Sequence, residues 1–432
     1  MTQSDDIYKR ALRVLPGGVS RNTVLRTPQP YAAYGTGCRI VDLDGVSRID
    51  CSNNMASLVH GHADRDMIQA VTAQLQRGTA FTMATEIEVA YAEHLCSRNP
   101  AFEKIRFVNS GTEAIMATLK ASRAFTGKPK IAKVEGAYHG QYDYAEVSQT
   151  PTPSTWGDVD HPNSVPVARG TPKSALDDVI IIPFNDIERA IALLQEHEGD
   201  LACVLLDLMP HRVGLRPAEP SFVEAIREWT QQHGVLLVFD EVITFRSAYG
   251  GLQENYTVTP DLTAMGKAIG GGFPVGALAG RDEVMDVLNP QNTPLLFPHS
   301  GTFSANPVTL TAGLTAMNKF DRPAIERLNA LANRAVSGIE DAIKETRIKA
   351  CVTGSGSMFR IHFKEEPPMN FREAFTTEKE NQQTKFLLNH LFDSGFVMIN
   401  TCSAALSTPM CETEIDALVH ATKIGFEKLN QF

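Results

Sequence analysis

The sequence predicts an α/β protein in which a large domain with a mostly parallel central sheet is joined to a smaller α/β domain. Two observations predict this architecture. Across residues 64–280, short apolar runs rich in Val and Ile alternate with amphipathic helical stretches, as in a parallel sheet covered on both faces. After Gly301 the pattern changes to long helical stretches around one β-like segment. A chain of 432 residues is long enough for such a division.

The individual elements follow from the same patterns. We expect strands of the large domain at 105–108, 131–135, 179–182, 202–206, 235–240 and 262–265. We expect helices between them at 67–75, 86–96, 112–125, 187–195 and 222–233. The smaller domain should hold helices within 307–343, a β-like stretch at 352–363 and closing helices at 379–391 and 412–429. We therefore divide the chain into 1–60, an N-terminal segment contributing to the small domain and the active site, 61–305, the large domain, and 306–432, the small domain.

Composition narrows the classes of partner. The 50 Asp and Glu outnumber the 40 Lys and Arg, and no basic run stands out, which argues against a nucleic-acid partner. The N-terminus is polar and acidic and no stretch suits a bilayer, so no membrane partner is expected. Seven scattered cysteines without a C-x-x-C pair indicate reduced thiols and a cytoplasmic protein. His60 and His62 lack further ligands at zinc spacing, so no metal is expected.

Two consecutive apolar strands end in residues that carry chemistry. Residues 235–240 end in Asp240, and ligand sites of open α/β sheets lie at the carboxyl ends of strands. The following strand ends at Gly266 and Lys267, before a run of glycines. An isolated ammonium at a buried strand end is costly, so Lys267 is either paired or used covalently. Asp240 taken alone is equally compatible with a cap of the next turn.

Two other strand ends carry candidate binding residues. Ser110, Gly111 and Thr112 lie between the strand 105–108 and a helix, and small residues at a helix N-terminus leave free N–H groups that hold a phosphate. The same residues also suit an ordinary helix cap. Tyr138 and His139 follow the strand 131–135, where an aromatic ring can lie flat over a heterocycle.

Taken in order, these segments resemble the class III aminotransferases, which are fold-type I enzymes that use pyridoxal 5'-phosphate. The resemblance spans nearly the whole chain through five motifs: Ser-Gly-Thr-Glu-Ala at 110–114, Tyr-His-Gly at 138–140, Asp-Glu-Val at 240–242, Gly-Lys at 266–267, and Gly-Thr-Phe at 301–303 with Asn-Pro at 306–307. Within the family, the likeness is greatest to glutamate-1-semialdehyde aminomutases and β-amino-acid aminotransferases.

The resemblance implies a role for each matching residue. Lys267 would form the Schiff base with the cofactor and move the substrate proton, and Asp240 would keep the pyridine nitrogen protonated. The remaining cofactor-binding residues implied are Ser110, Gly111 and Thr112 at the phosphate, Tyr138 and Val242 on the two ring faces, His139 beside them, and Thr302, which would reach the phosphate of a neighbouring subunit. A homodimer with composite active sites is implied as well.

The residues that choose the substrate are less clearly marked. A Pro-Gly-Gly segment at 16–18 is followed by Ser20 and Arg21, a continuation that resembles β-amino-acid aminotransferases, where this arginine holds a substrate carboxylate. A surface arginine in an N-terminal segment is the alternative. The family's usual Glu-Pro pair after the strand 202–206 is replaced by 207–212, Asp-Leu-Met-Pro-His-Arg, so the pocket should be altered there.

Three reactions remain open at this point. The first is transfer of an amino group between a carboxylate-bearing amine, such as a β-amino acid, and a keto acid. The second is the intramolecular reaction of a glutamate-1-semialdehyde 2,1-aminomutase. The third is an amino-acid epimerase or lyase, because the same cofactor chemistry supports all three outcomes.

Overall fold

The computed structural model of the chain describes residues 2–431, and the bounds below refer to that part. The helices are α1 (Gln3–Ala11), α2 (Asn53–Ala56), α3 (Arg65–Arg77), α4 (Glu86–Arg98), α5 (Gly111–Thr126), α6 (Asp143–Glu146), α7 (Lys173–Asp177), α8 (Ile187–Gln195), α9 (Pro220–His233), α10 (Asp282–Met285), α11 (Pro307–Lys319), α12 (Arg322–Thr346), α13 (Phe371–Ala374), α14 (Glu378–Asp393) and α15 (Glu412–Leu429). No helix among them is long and apolar enough to cross a membrane.

The strands form three sheets. They are β1 (Ala32–Thr36), β2 (Arg39–Asp42), β3 (Ser47–Asp50), β4 (Lys104–Val108), β5 (Lys130–Val134), β6 (Val179–Ile182), β7 (Leu201–Leu206), β8 (Leu236–Asp240), β9 (Leu262–Gly266), β10 (Gly276–Gly280), β11 (Cys351–Ser355), β12 (Met358–His362), β13 (Phe396–Val397) and β14 (Ser403–Ala405). The central sheet has the order β4-β10-β9-β8-β7-β5-β6, and all its strands are parallel except β10, which is antiparallel to both neighbours. The predicted α/β class with a mostly parallel sheet is thus confirmed.

Strands β7 and β8 at the centre of this sheet are buried along their whole length, which explains why they are apolar up to Leu206 and Phe239. In β8, Leu236 and Val238 pack on the side of α5, whereas Leu237 and Phe239 pack on the side of α9. Burying one such side chain stabilises the fold by about 1.5–3 kcal/mol. The carboxyl ends of β8 and β9 are therefore held rigidly, and their end residues can be positioned accurately.

Helix α5 connects the sheet to the site. It begins after the N-cap Ser110, whose side chain accepts a hydrogen bond from the Glu113 amide, and it ends at Gly127 with a left-handed φ of 70°. Alanines and Ile115 on its inner face pack against the sheet. The N-terminus of this helix consequently lies at the carboxyl end of β4.

The C-terminal part forms a second packed unit. Helices α12, α14 and α15 pack together with β11 and β12, and the three-stranded sheet has the order β11-β12-β14. The N-terminal strands β1, β2 and β3 form a separate sheet that β13 completes by pairing parallel with β3. The domain boundaries after residues 60 and 305 remain predictions.

The sequence analysis missed six strands, namely β1, β2, β3, β10, β13 and β14. β1, β2 and β3 lie in a region assigned only as a segment, and β10 reads Gly-Ala-Leu-Ala-Gly, without the β-branched residues that favour strands. Small residues are required in β10, because a Cβ on Gly276 would lie 2.0 Å from the Ser110 carbonyl oxygen. Close packing against the loop before α5 therefore overrides the usual strand composition.

Candidate active site

A cavity of about 580 Å³ lies where α5 begins and β8 and β9 end. Its volume is within the about 300–1,000 Å³ typical of small-molecule sites. Nine of the ten residues singled out from the sequence line it: Arg21, Ser110, Gly111, Thr112, Tyr138, His139, Asp240, Val242 and Lys267. The sequence motifs are therefore brought together, although they are spread over about 250 positions.

Asp240 is held by two hydrogen bonds. Its Oδ1 accepts from the Val242 amide at 2.9 Å, and its Oδ2 lies 2.7 Å from Nδ1 of His139. Burial lowers the pKa of His139, so the ring is neutral and its Nδ1–H donates to the carboxylate. Each carboxylate oxygen retains a lone pair, so Asp240 can still accept a proton-bearing ring nitrogen from the cavity.

Lys267 follows β9 at the start of a tight turn. Asp240 on β8 pairs with Ala264 on β9, three residues before Lys267, so the adjacent strand ends bring both side chains to one cavity. Burial lowers the pKa of the Lys267 ammonium, while the carboxylates of Asp240 and Asp207 act in the opposite direction. Among residues 2–431, no side chain or carbonyl oxygen forms a hydrogen bond with Nζ, which leaves the amine available for reaction.

The start of α5 offers backbone donors to the cavity. The Ser110 side chain caps the Glu113 amide, as in an ordinary helix cap, and the Ser110 carbonyl accepts from Ala114. The amides of Gly111 and Thr112 precede these bonds and remain free for an anion. The start of α5 therefore has both the ordinary helix cap and the free amides of an anion site, which the sequence analysis gave as alternatives.

Close steric contacts fix the two cavity walls next to the start of α5. A Cβ on Gly111 would lie 2.7 Å from Cγ1 of Val242, so the helix start and the Val242 side chain approach closely. Gly140 has a φ of +91°, and a Cβ there would lie 2.6 Å from the Thr112 hydroxyl. Tyr138 and Val242 both line the cavity, and the resemblance to class III aminotransferases implies that the planar ring of pyridoxal phosphate lies there. The free amides, the carboxylate and the amine are the complementary groups.

Asp207 supplies a second carboxyl group that the sequence analysis did not list as a site residue. It lines the cavity at the end of β7, and its Oδ1 accepts from the Met209 amide at 2.9 Å. Burial, followed by the nearby Asp240 carboxylate, raises the pKa of Asp207 well above its usual value. The raised pKa favours the protonated form of Asp207, which adds no second negative charge beside Asp240.

Arg21 reaches the cavity from the N-terminal segment. Its Nη1 donates to Oδ1 of Asn54 at 2.7 Å, and among the described residues it has no carboxylate partner. Asn54 and Met55, which the sequence analysis missed, also line the cavity and have left-handed φ values of 50° and 57°. The Asn53-Asn54 pair after β3 was the available signal, because asparagine tolerates this conformation.

A second, larger cavity adjoins the first. It has a volume of about 1100 Å³, lies between the N-terminal segment and α14, and is lined by Arg21 and Met55 among others. Because both residues also line the first cavity, Arg21 lies at the boundary between the two.

Thr302 is the one predicted residue that lies outside the cavity. It lines a separate pocket of about 280 Å³ with Phe81, Met83 and His299. Within a single chain, Thr302 therefore does not reach the site. Its expected contact with a neighbouring subunit stays a prediction.

One carboxyl group and two imidazoles near the motifs are held by contacts with the scaffold. The buried carboxyl of Glu241 accepts hydrogen bonds from the Thr244 hydroxyl and the amides of Leu252 and Gln253. His60 is hydrogen-bonded to Thr408 and to the Ala316 carbonyl, and His62 is paired with Asp50. These contacts account for both histidines without a bound ion.

Comparison with known proteins agrees with this geometry. Residues 26–408 match the family described as aminotransferase class-III. The chain is 37% identical over 374 residues to a glutamate-1-semialdehyde 2,1-aminomutase of Methanothermobacter thermautotrophicus, covering 86% of each chain. It superposes on an ω-transaminase from Sphaerobacter thermophilus with a TM-score of 0.97 and 46% identity, over 99% of this chain and 98% of that one. A β-phenylalanine aminotransferase from Variovorax paradoxus gives a TM-score of 0.88 and 30% identity, over 99% and 94%.

Proposed function

The chain belongs to the class III aminotransferases and uses pyridoxal phosphate, and from this premise we propose its substrates and the work of each residue. The enzyme takes the amino group of a carboxylate-bearing amine, with a β-amino acid as donor, and passes it to a keto acid. The cofactor supplies an aldehyde that holds the amino group and a protonated ring that withdraws electrons from the bond being broken. The observation that carries the proposal is the meeting of Lys267, Asp240 and the unpaired Arg21 in one cavity.

Lys267 holds the cofactor and moves the proton. Its amine is buried and its pKa is lowered by that burial, so the neutral form that attacks an aldehyde is favoured. With the cofactor bound, the Lys267 amine would remove a proton from the substrate carbon and return it during transfer. Its place at the end of a buried strand supports this role, because the amine has little freedom to move away.

Asp240 keeps the ring nitrogen protonated. The Val242 amide and the neutral His139 fix its carboxylate in one orientation, and the raised pKa of Asp207 weakens competition from that second carboxyl group. Gly111 and Thr112 bind the phosphate through their amides, with Ser110 holding the helix start in place. Tyr138 and Val242 lie on the two faces of the ring. These assignments give a role to every motif residue that lines the cavity.

A homodimer completes the phosphate site in this proposal. Thr302 lies in a region with exposed apolar side chains, since Phe81, Met83 and Phe303 are 51%, 83% and 61% exposed. A contiguous exposed apolar patch of this kind marks an interface. A partner subunit docked there would bring its Thr302 to the phosphate. We also assign the enzyme to the cytoplasm, since its seven cysteines are unpaired.

Single-substrate reactions test the donor. The enzyme loaded with cofactor is mixed with α-, β- or ω-amino acids of equal carbon number, and the loss of its visible absorbance is recorded. We expect 3-aminobutyrate to react with a kcat/KM about 10-fold or more above that of 2-aminobutyrate, because only the β-isomer presents its carboxylate to Arg21 at the required distance. A preference for the α-isomer would refute the β-amino-acid assignment.

The aminomutase reaction is the second candidate. The 37% identity to a glutamate-1-semialdehyde 2,1-aminomutase favours it. Glutamate semialdehyde supplied alone would then give stoichiometric 5-aminolevulinate without any keto acid. We expect little of this product, since the substitution of 207–212 alters the pocket.

A further inference from the structure

Lys133 on β5 is 0% exposed, and no other lysine among residues 2–431 is buried to that extent. Its backbone lies inside the central sheet, where β5 pairs with β6 on one side and with β7 on the other. Its Nζ donates hydrogen bonds to two backbone carbonyls, that of Ala137 at 3.0 Å and that of Val147 at 2.7 Å. A rigid strand therefore carries an amine that contacts both ends of the loop 137–147.

The two carbonyls depend on this amine. Within the part of the chain that the structure describes, no backbone N–H donates to the oxygen of Ala137 or of Val147. Both residues are fully buried. A buried carbonyl that lost the amine would be left without a donor, which is costly. The loop therefore has a strong reason to stay where Lys133 holds it.

The loop carries two side chains of the active cavity. Tyr138 and His139 directly follow Ala137, and both line the cavity. The Ala137 carbonyl and the Tyr138 amide belong to one planar peptide group, so a hydrogen bond to that oxygen fixes the direction in which the chain enters Tyr138. His139 is in turn bonded through Nδ1 to Asp240 at 2.7 Å. Lys133 thus acts at the point where the loop enters the cavity.

A lysine is a costly residue at a position of this kind. Burial, followed by the Arg212 cation, lowers the pKa of Lys133 to about 7, whereas the Glu135 carboxylate acts in the opposite direction. Glu135 is paired with Arg372, through contacts of 2.9 and 3.0 Å. Near neutral pH part of the lysine is therefore uncharged, and an uncharged amine has two N–H groups for the two carbonyls. An apolar side chain would fill the space at less cost, but it could not bind the loop.

We propose that Lys133 is a positioning residue, which holds the loop 137–147 so that Tyr138 and His139 meet the cofactor ring. The proposal rests on the contacts with the ring that are proposed above for these two side chains. Lys133 itself does not line the cavity, so it acts only through the loop. Without its amine the two carbonyls would turn towards other donors, and Tyr138 and His139 would move with them.

Cofactor affinity tests this role. Each variant is freed of cofactor and titrated with pyridoxal phosphate, and the visible absorbance gives a dissociation constant. Lys133→Met keeps a long side chain but removes the donors, so we expect the constant to rise about 10-fold or more. Lys130→Met is the control on the same strand, since Lys130 is paired with Asp200 at the surface, and it should stay within about twofold. An unchanged constant in Lys133→Met would overturn the proposal.

A second background separates positioning from a general structural role. In the variant Tyr138→Ala/His139→Ala the side chains that Lys133 would position are absent. We expect Lys133→Met to change the dissociation constant there by less than about twofold, because the effects of coupled residues do not add. An effect of equal size in both backgrounds would mean that Lys133 only supports the fold, and the positioning role would be wrong.

The spectrum of the bound cofactor gives an independent measurement. Visible circular dichroism of the loaded enzyme arises from the asymmetric surroundings of the ring, and it is recorded per bound cofactor. We expect it to lose intensity in Lys133→Met and to stay the same in Lys130→Met. A Lys133→Met spectrum identical to that of the wild-type enzyme would show that the ring contacts do not depend on the lysine.

Other failures give different results. If Lys133→Met does not fold, Lys133→Gln decides, because its amide keeps two N–H groups on a stem one atom shorter and should weaken cofactor binding at least about threefold. Unchanged binding by Lys133→Gln would refute the role. Full affinity in Tyr138→Ala/His139→Ala would refute the proposed ring contacts, and the positioning role with them. A wrong choice of amino donor leaves all these constants unaffected, since the titrations contain no amino acid.

Discussion

The two halves of the cavity differ in how their charged side chains are held. On the cofactor side, both oxygens of Asp240 accept hydrogen bonds, and the helix start is capped by Ser110. On the substrate side, Arg21 makes a single side-chain hydrogen bond, to Asn54, and lacks a carboxylate partner among the described residues. The Asp240 carboxylate is therefore oriented before any ligand arrives, whereas Arg21 lacks the anion that a substrate would supply. We expect substrate choice to reside in the half that contains Arg21.

The largest effect should come from the amine of the cofactor side. Lys267→Ala removes the group that holds the cofactor and moves the proton, so we expect the rate of amino transfer to fall by at least about 10³-fold. Stopped-flow absorbance with a saturating donor measures it. Lys423→Ala, an exposed lysine paired with Glu345, is the control and should react normally. Retention of more than a tenth of the activity in Lys267→Ala would contradict the assigned role.

The next effect tests whether the charge of Asp240, and not only its hydrogen bonds, matters. Asn at this position can still accept from the Val242 amide, but it cannot keep a ring nitrogen protonated. We expect Asp240→Asn to lower kcat by about 10²–10³-fold while the cofactor stays bound. Steady-state kinetics and the absorbance of the bound cofactor measure the two quantities. A variant with normal kcat would show that the carboxylate serves only the scaffold.

A smaller effect is expected on the substrate side. Arg21→Met should raise KM for 3-amino-3-phenylpropanoate about 10-fold and leave 1-phenylethylamine, which lacks the carboxylate, within about twofold. The two amines differ only in the group that Arg21 would bind. An equal change for both would mean that Arg21 shapes the entrance without binding the carboxylate.

The smallest effect concerns packing at the phosphate end. Gly111→Ala places a methyl group 2.7 Å from Cγ1 of Val242, so we expect the cofactor to dissociate a few-fold more readily, as measured by dialysis and absorbance. The added substitution Val242→Ala makes room for the methyl group and should recover most of the affinity. If the double variant is no better than the single one, the clash is not the cause.

The division between the cofactor side and the substrate side also explains which features could be predicted from the sequence. The strands 105–108, 179–182 and 262–265 were predicted nearly to the residue because apolar side chains predominate in each, and the last two are almost completely buried. The cofactor side was predicted through motifs that follow those strands. β10 was missed because its Gly276 is required by the close approach of the Ser110 carbonyl oxygen. No local sequence pattern shows this contact.

The substrate side was harder to foresee for a physical reason. Arg21 and Asn54 lie 33 positions apart, and their contact depends on how the N-terminal segment folds against the turn after β3. A sequence pattern does not show that the nitrogens of an arginine lack partners. That property depends on which acidic side chains surround the arginine in the folded protein. The work of Arg21 in substrate binding remains a prediction for the same reason.

The backbone at Lys267 has a consequence for how this protein can change. Its φ of 47° lies in the left-handed region, where a side chain costs about 1–2 kcal/mol relative to glycine. A glycine at this position would relax the turn and yield a more heat-resistant but inert protein. Selection for thermal stability alone would therefore remove the reactive amine. The presence of Lys267 in a strained turn indicates selection for the chemical reaction.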